Sequence, residues 1–189
     1  MKIEQTVLEG VLILTPARFG DERGFFSESW NRKRMEAAGL AVEFVQDNHS
    51  LSVQAGTVRG LHFQTPPHAQ AKLVRCGRGC LYDVAVDIRK GSPSYGHWIG
   101  VELSAQNGKQ LLIPEGFLHG FVTREANTEI IYKCSDYYAP DCDRSVRFDD
   151  PEIGVDWGIL PELAVLSEKD RTAPTLAECS SPFIYEAQL

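Results

Sequence analysis

From Val42 to Tyr138 the chain alternates short apolar runs with turn-forming residues. The runs VEFVQ, KLVRC, CLYDVAVDIR, HWIGVELS, KQLLIP, LHGFVT and EIIYKCSDYY are rich in Val, Ile, Leu and aromatics, and Gly, Pro, Asn and Ser separate them. Runs of this length predict strands. With turns such as KGSPSYG and QNGK between them rather than crossover helices, the strands pair antiparallel, and the fold class is an all-β sandwich or barrel. A further strand is expected in VLILTPARF near the N-terminus. One helix is signalled: Asn31 stands at its N-cap, RKRMEAA supplies good helix formers, and Gly39 stands where a helix stops. Beyond Ala139 the chain is rich in Pro, Asp and Glu, with short helical hints only at SEKDR and TLAEC. This segment is expected to wrap the barrel, within a single domain spanning 1–189.

Size supports that reading, because 189 residues fall within the usual range of one domain. A chain of this length buries about 70% of its unfolded surface, so neither disulfides nor a structural metal is needed to hold it. The five cysteines are odd in number and form no C-x2-C pair, which speaks against a disulfide framework and a zinc site and points to a reducing cytoplasm. The N-terminal apolar run Val11–Leu14 is too short for a signal-peptide core. No stretch reaches the roughly 18 apolar residues of a membrane span, so a soluble protein with no membrane partner is expected. A net charge of −7 disfavours nucleic acid, whose binding draws on many phosphate contacts from a basic face. Any phosphate must meet a small local cluster of Arg and Lys.

The chemistry concentrates in two blocks. Gly56-TVRGL-His62-F-Gln64 is followed by Lys72-LVRCGR-Gly79, and later comes Gly108-KQLLI-Pro114-E-Gly116-FL-His119. These resemble the two signature blocks of the cupin superfamily, G-x5-H-x-H-x3,4-E-x6-G and G-x5-P-x-G-x2-H. The second block matches at every fixed position up to its His. In the first, Gln64 stands where the second His belongs and Lys72 where the Glu belongs, after a lengthened loop. A divalent ion needs deprotonated, lone-pair-bearing ligands, and Lys brings a cation instead, so no metal is expected. A fixed positive charge in a water-poor barrel stabilises negative charge developing on a substrate oxygen. With metal set aside, the imidazole of His62 is the best general base available. Arg59 and His62 point to opposite faces of a regular strand unless a bend at Gly60 re-aims one of them. His49, His68 and His97 read as ordinary surface or core histidines.

The segments FGDERGFFSESWN, FVQDNHS, RGLHFQ, KLVRC, DVAVDIRKGSPSYG, IPEGFLHGF, YKCSDYY and SEKD, in that order, resemble the dTDP-4-dehydrorhamnose 3,5-epimerase family, from about Leu12 to Ala173. The resemblance implies a cupin-type β-barrel or jelly-roll homodimer that acts without a cofactor on a dTDP-linked 4-keto-6-deoxyhexose, inverting carbons 3 and 5. It implies that His62 is the general base, Asp170 the carboxylate that orients it, Tyr132 the proton donor, and Lys72 the residue near the ketone oxygen. It further implies substrate contacts from Arg23, Glu28, Gln46, Asp47, Asn48, Arg59, His119, Asp143 and Lys169, with Tyr138 against the thymine ring. At Asp143 relatives often carry Glu. Arg23 lies in FGDERGFF, a segment expected to be lent by the partner subunit.

Three other readings stay open at this point. One is a metal-dependent cupin enzyme using His62 and His119. Another is a sugar-nucleotide-binding cupin without catalysis, which has no need of an acid and a base together. The third is an epimerase restricted to carbon 3 or carbon 5 in another deoxysugar pathway.

Overall fold

The computed structural model describes residues 1–186. Its strands, in chain order, are β1 (Lys2–Gln5), β2 (Leu12–Thr15), β3 (Phe19–Asp21), β4 (Gly24–Phe26), β5 (Gln46–Ser52), β6 (Val58–Gln64), β7 (Lys72–Arg78), β8 (Cys80–Asp87), β9 (Trp98–Ser104), β10 (Gln110–Ile113), β11 (Phe117–Thr123), β12 (Thr128–Cys134) and β13 (Asp143–Ser145). Helix α1 spans Arg32–Ala37 and α2 spans Glu168–Arg171. The strands form a six-stranded sheet in the order β1-β2-β10-β7-β12-β5, a five-stranded sheet in the order β13-β6-β11-β8-β9, and the hairpin β3-β4. Every named pairing is antiparallel, as the turn chemistry predicts.

The two larger sheets face each other as a barrel. Between them pack Val74, Leu111 and Ile130 from one sheet and Leu81, Leu103, Phe117 and Phe121 from the other. The outer face of the five-stranded sheet is also covered. Val58, Leu61, Phe63, Val84 and Leu118 pack there against Val146, Phe148, Ile153, Trp157 and Leu176, so the C-terminal segment wraps the barrel. On the other sheet, Leu14, Leu73 and Leu112 lie under Met35 of α1. Burial on both faces explains the nearly continuous apolar character of CLYDVAVD.

Helix α1 follows its sequence signals. Asn31 Oδ1 accepts from Arg34 N at 3.2 Å, and Gly39 takes φ +81°, where a residue with a Cβ is strained. SEKDR forms α2, capped by Ser167, whereas TLAEC makes only a turn. The strand expected over VEFVQ lies further along. Residues 42–45 carry no regular strand, and pairing begins at Gln46. Phe44 is drawn out of the sheet into an edge-to-face contact with Trp30, at 4.8 Å between ring centroids. The true strand, QDNHSLS, is polar because it is a sheet edge with one face toward water and the other toward a polar cavity.

Candidate active site

A cavity of about 410 Å³ opens between the two sheets, lined by Arg59 and His62 on β6, Lys72 on β7, His119 and Phe121 on β11, Tyr132 on β12, and Val165, Leu166, Ser167 and Asp170. A contiguous hollow of about 390 Å³ shares His62, Lys72 and Tyr132 and adds Gln46, Asn48, Tyr138, Asp143 and Lys169. Strand alternation sorts these residues. On β5, Gln46, Asn48 and Ser50 turn inward while Asp47 and His49 turn to solvent.

The phase on β6 is broken, and the break makes the site. Val58, Leu61 and Phe63 face outward into the apolar layer, while Arg59 and His62 both face the cavity. A regular strand cannot do this. The register against β11 slips between the His62–His119 and Arg59–Phe121 pairs, leaving one extra residue on β6. Gly60 supplies it at φ +140°, so close to β11 that a Cβ there would lie 2.5 Å from the Gly120 Cα. Only glycine fits, and the bend that the sequence required of Gly60 is present.

His62 Nε2 lies 2.5 Å from Asp170 Oδ1. The contact sets the tautomer with hydrogen on Nε2 and leaves the Nδ1 lone pair free. Burial alone would push the Asp170 carboxyl up. The hydrogen bond and charge of His62, with the Ser167 hydroxyl, outweigh it and hold the carboxyl below the ordinary range. Across the cavity, on the six-stranded sheet, burial raises the Tyr132 phenol above its ordinary value, so it is a protonated donor at neutral pH. Burial lowers the Lys72 ammonium, opposed by the field of Cys134, Asp143 and Asp83. Neither carboxylate is given over to Lys72. Asp143 pairs with Lys169 and accepts from the Tyr138 hydroxyl at 3.3 Å, and Asp83 Oδ1 lies 2.7 Å from His119 Nε2.

Gln64 has a structural task. Its amide nitrogen donates to the carbonyls of His68 (2.6 Å) and Tyr137 (3.2 Å), and its oxygen accepts from Ala139 N at 2.9 Å. The side chain thus ties two loops to β6 through both its nitrogen and its oxygen. Among the described residues no cluster of three or more His, Cys, Asp or Glu is arranged to hold a metal ion. His49 and His68 pair with Glu129 and Asp136 at the surface, as their ordinary reading has it.

Three expected contacts are not brought to the cavity by this chain. Arg23, 89% exposed at the tip of the β3-β4 hairpin, pairs with its own Asp21. Glu28 pairs with Arg34 at 3.0 Å beside α1, and Asp47 pairs with Lys133 on the outer face of β5. Two residues were missed by sequence reasoning. Ser167 sits in the SEKD segment, and Asp83 is a carboxylate in the middle of a largely apolar strand, which is itself a signal of a buried polar partner.

Comparison with known proteins decides the family. The family model described as dTDP-4-dehydrorhamnose 3,5-epimerase matches residues 5–178. The chain belongs to the dTDP-4-dehydrorhamnose 3,5-epimerase family. Relatives of that name from Sinorhizobium fredii and Salmonella typhimurium are 50% and 52% identical, covering 98% and 93% of this chain and 94% and 96% of theirs. A crystal structure of a dTDP-6-deoxy-D-glucose-3,5-epimerase from Legionella pneumophila, in complex with dTDP-4-keto-L-rhamnose, is 44% identical. It covers 98% of this chain and 99% of that one at a TM-score of 0.93. Members of this epimerase family share the cupin-type jelly roll described above, and the cavity between the sheets is where this chain collects an imidazole, a phenol and an ammonium.

Proposed function

We propose that this chain epimerises dTDP-4-dehydro-6-deoxy-D-glucose at carbons 3 and 5, giving dTDP-4-dehydro-L-rhamnose. The observation that carries the reading is the placement of a base and an acid on opposite sheets around one cavity: His62 with Asp170 on one side, Tyr132 on the other, and Lys72 beside them. The 4-keto group acidifies the hydrogens on both adjacent carbons. His62 Nδ1 takes one of them, and the C–H electron pair becomes an enolate whose oxygen is stabilised by the Lys72 ammonium. Tyr132 gives its phenolic proton to the opposite face, which inverts the centre. The proton on His62 and the vacancy on Tyr132 are then exchanged with solvent. His119, Arg59, Gln46, Asn48, Asp143 and Lys169 are read as substrate contacts, and Tyr138, exposed at the rim, as the platform for the thymine ring.

Nothing in this sequence of steps calls for a cofactor. The cation of Lys72 does the work a metal would do, and the Gln64 oxygen is engaged by the backbone N–H of Ala139. Five free cysteines fit a reducing cytoplasm, and no helix among the described residues is long and apolar enough to cross a membrane. The test is product analysis by NMR in deuterated buffer. Deuterium at both carbons with the L-configured product is expected, and inversion or exchange at one carbon alone would replace this reading with a single-position epimerase.

We also propose that the working unit is a homodimer. The β3-β4 hairpin exposes Phe19, Phe25 and Phe26 at 66%, 61% and 70%, and it holds Arg23 away from its own cavity. Three exposed aromatics on one hairpin form an apolar surface that calls for a partner. A second copy supplies that partner and receives Arg23 and Glu28 at its site. Sedimentation velocity is expected to give a dimer at assay concentrations. A monomer with full activity on dilution would overturn the proposal.

A further inference from the structure

Asp170, 3% exposed, spends its two oxygens in opposite directions. Oδ1 meets His62 Nε2, and Oδ2 accepts from the Ser167 hydroxyl at 2.8 Å. The same hydroxyl accepts from Asp170 N at 3.1 Å, so one side chain grips both the backbone and the carboxylate of the residue three positions on. Ser167 is itself held in place. It caps α2, and the strap before it is locked to β6 and its approach by Val58 N to Val165 O at 3.0 Å and Val165 N to Gly56 O at 2.9 Å. At four residues α2 is far too short to hold its shape alone, so the aim of Asp170 depends on this cap and strap.

We propose that Ser167 is a positioning residue of the His62–Asp170 pair: its hydroxyl fixes which Asp170 oxygen faces the imidazole and draws carboxylate charge away from it. The inference rests on the reading of His62 as the base. Two effects follow from removing the hydroxyl. The Asp170 carboxylate can turn about its broad terminal torsion, and the orientation of His62 loosens. Negative charge also concentrates on Oδ1, favouring the imidazolium, so His62 keeps its proton to higher pH. A base must be neutral to act, and the acid limb of the rate profile therefore moves upward. Arg59 on β6, Lys72 on β7, His119 on β11, Tyr132 on β12, Asp143 on β13 and Lys169 on α2 face the same space as His62. All stay constant when only Ser167 is changed.

The capping and orienting roles can be separated. Glycine at an N-cap costs only a few tenths of a kcal/mol relative to serine, so Ser167→Gly removes the hydroxyl while leaving α2 largely intact. Ser167→Thr keeps the hydroxyl. The two variants and the parent protein are compared by NMR titration of the His62 imidazole without substrate, by the pH profile of kcat and kcat/KM, and by Tm. For Ser167→Gly, we expect Tm within a few degrees of the parent and both the imidazole titration and the acid limb raised by about half a pH unit. We expect kcat to fall about tenfold, with KM changed less. Ser167→Thr should restore the parental behaviour. The inference is overturned if Ser167→Gly titrates and turns over like the parent, or if Ser167→Thr is as impaired as Ser167→Gly. A parent protein inactive on the sugar nucleotide, with the imidazole shift still present, would sink the functional reading and leave the positioning role standing.

Discussion

His62→Ala, recovered folded, should lose epimerisation by about 10²–10⁴-fold, and solvent deuterium should no longer enter either carbon flanking the ketone. That range corresponds to about 2.7–5.4 kcal/mol of lost transition-state stabilisation. The exchange measurement is the sharper of the two. Epimerisation fails if any step fails, whereas exchange needs only the first proton abstraction. No other imidazole is placed to take over. His119 is the one further histidine lining the cavity, and its Nε2 is engaged by the wholly buried Asp83. The substitution also leaves Asp170 without its main partner in a site where it is nearly sealed from water, which costs stability of the order of 1–3 kcal/mol. Thermal unfolding must therefore be followed alongside. A folded His62→Ala protein that exchanges deuterium at close to the parental rate would show that the base lies elsewhere.

Tyr132→Phe should separate what His62→Ala abolishes together. The ring keeps its packing against the apolar cluster between the sheets, and only the hydroxyl is removed. No protein hydrogen bond acts on the Tyr132 phenol among the described residues, so the substitution orphans no partner and Tm should change little. With His62, Asp170 and Lys72 intact, the enolate still forms, and the proton can return from His62 to the face it left. Exchange without inversion is the expected result, with inversion reduced by about 10²–10⁴-fold. If exchange and inversion fall in parallel, Tyr132 serves enolate formation rather than delivery to the opposite face, and the two-sided scheme fails.

Much of the fold is legible in the sequence. Alternation of apolar runs and turns gave the antiparallel all-β class, because a strand buried on one or both faces must write its pleat into its side chains. Helix α1 could be placed by its cap and stop residues, whose hydrogen bonds and φ values are local. The motif that marks Lys72 also marks the cavity, for the structure places that lysine among its lining residues. The strand over Gln46–Ser52 was misplaced for an equally physical reason. Neither of its faces is apolar, so there was no period to read.

What the tertiary structure decided was every relation between distant residues. His62 and Asp170 are 108 positions apart and His119 and Asp83 are 36 apart. Their contacts depend on strand order and on the strap that carries α2 back over β6, neither of which leaves a mark in local sequence. The sequence could require a bend at Gly60, but only the approach of Gly120 shows that no other residue fits there. The same is true in reverse for Arg23, Glu28 and Asp47, which the family resemblance assigned to the site and this chain holds away from it. Local order is encoded by propensity and periodicity within a few residues. The active site is encoded by packing, in which one face of each strand is chosen by the sheet opposite, and that choice exists only once the barrel has closed.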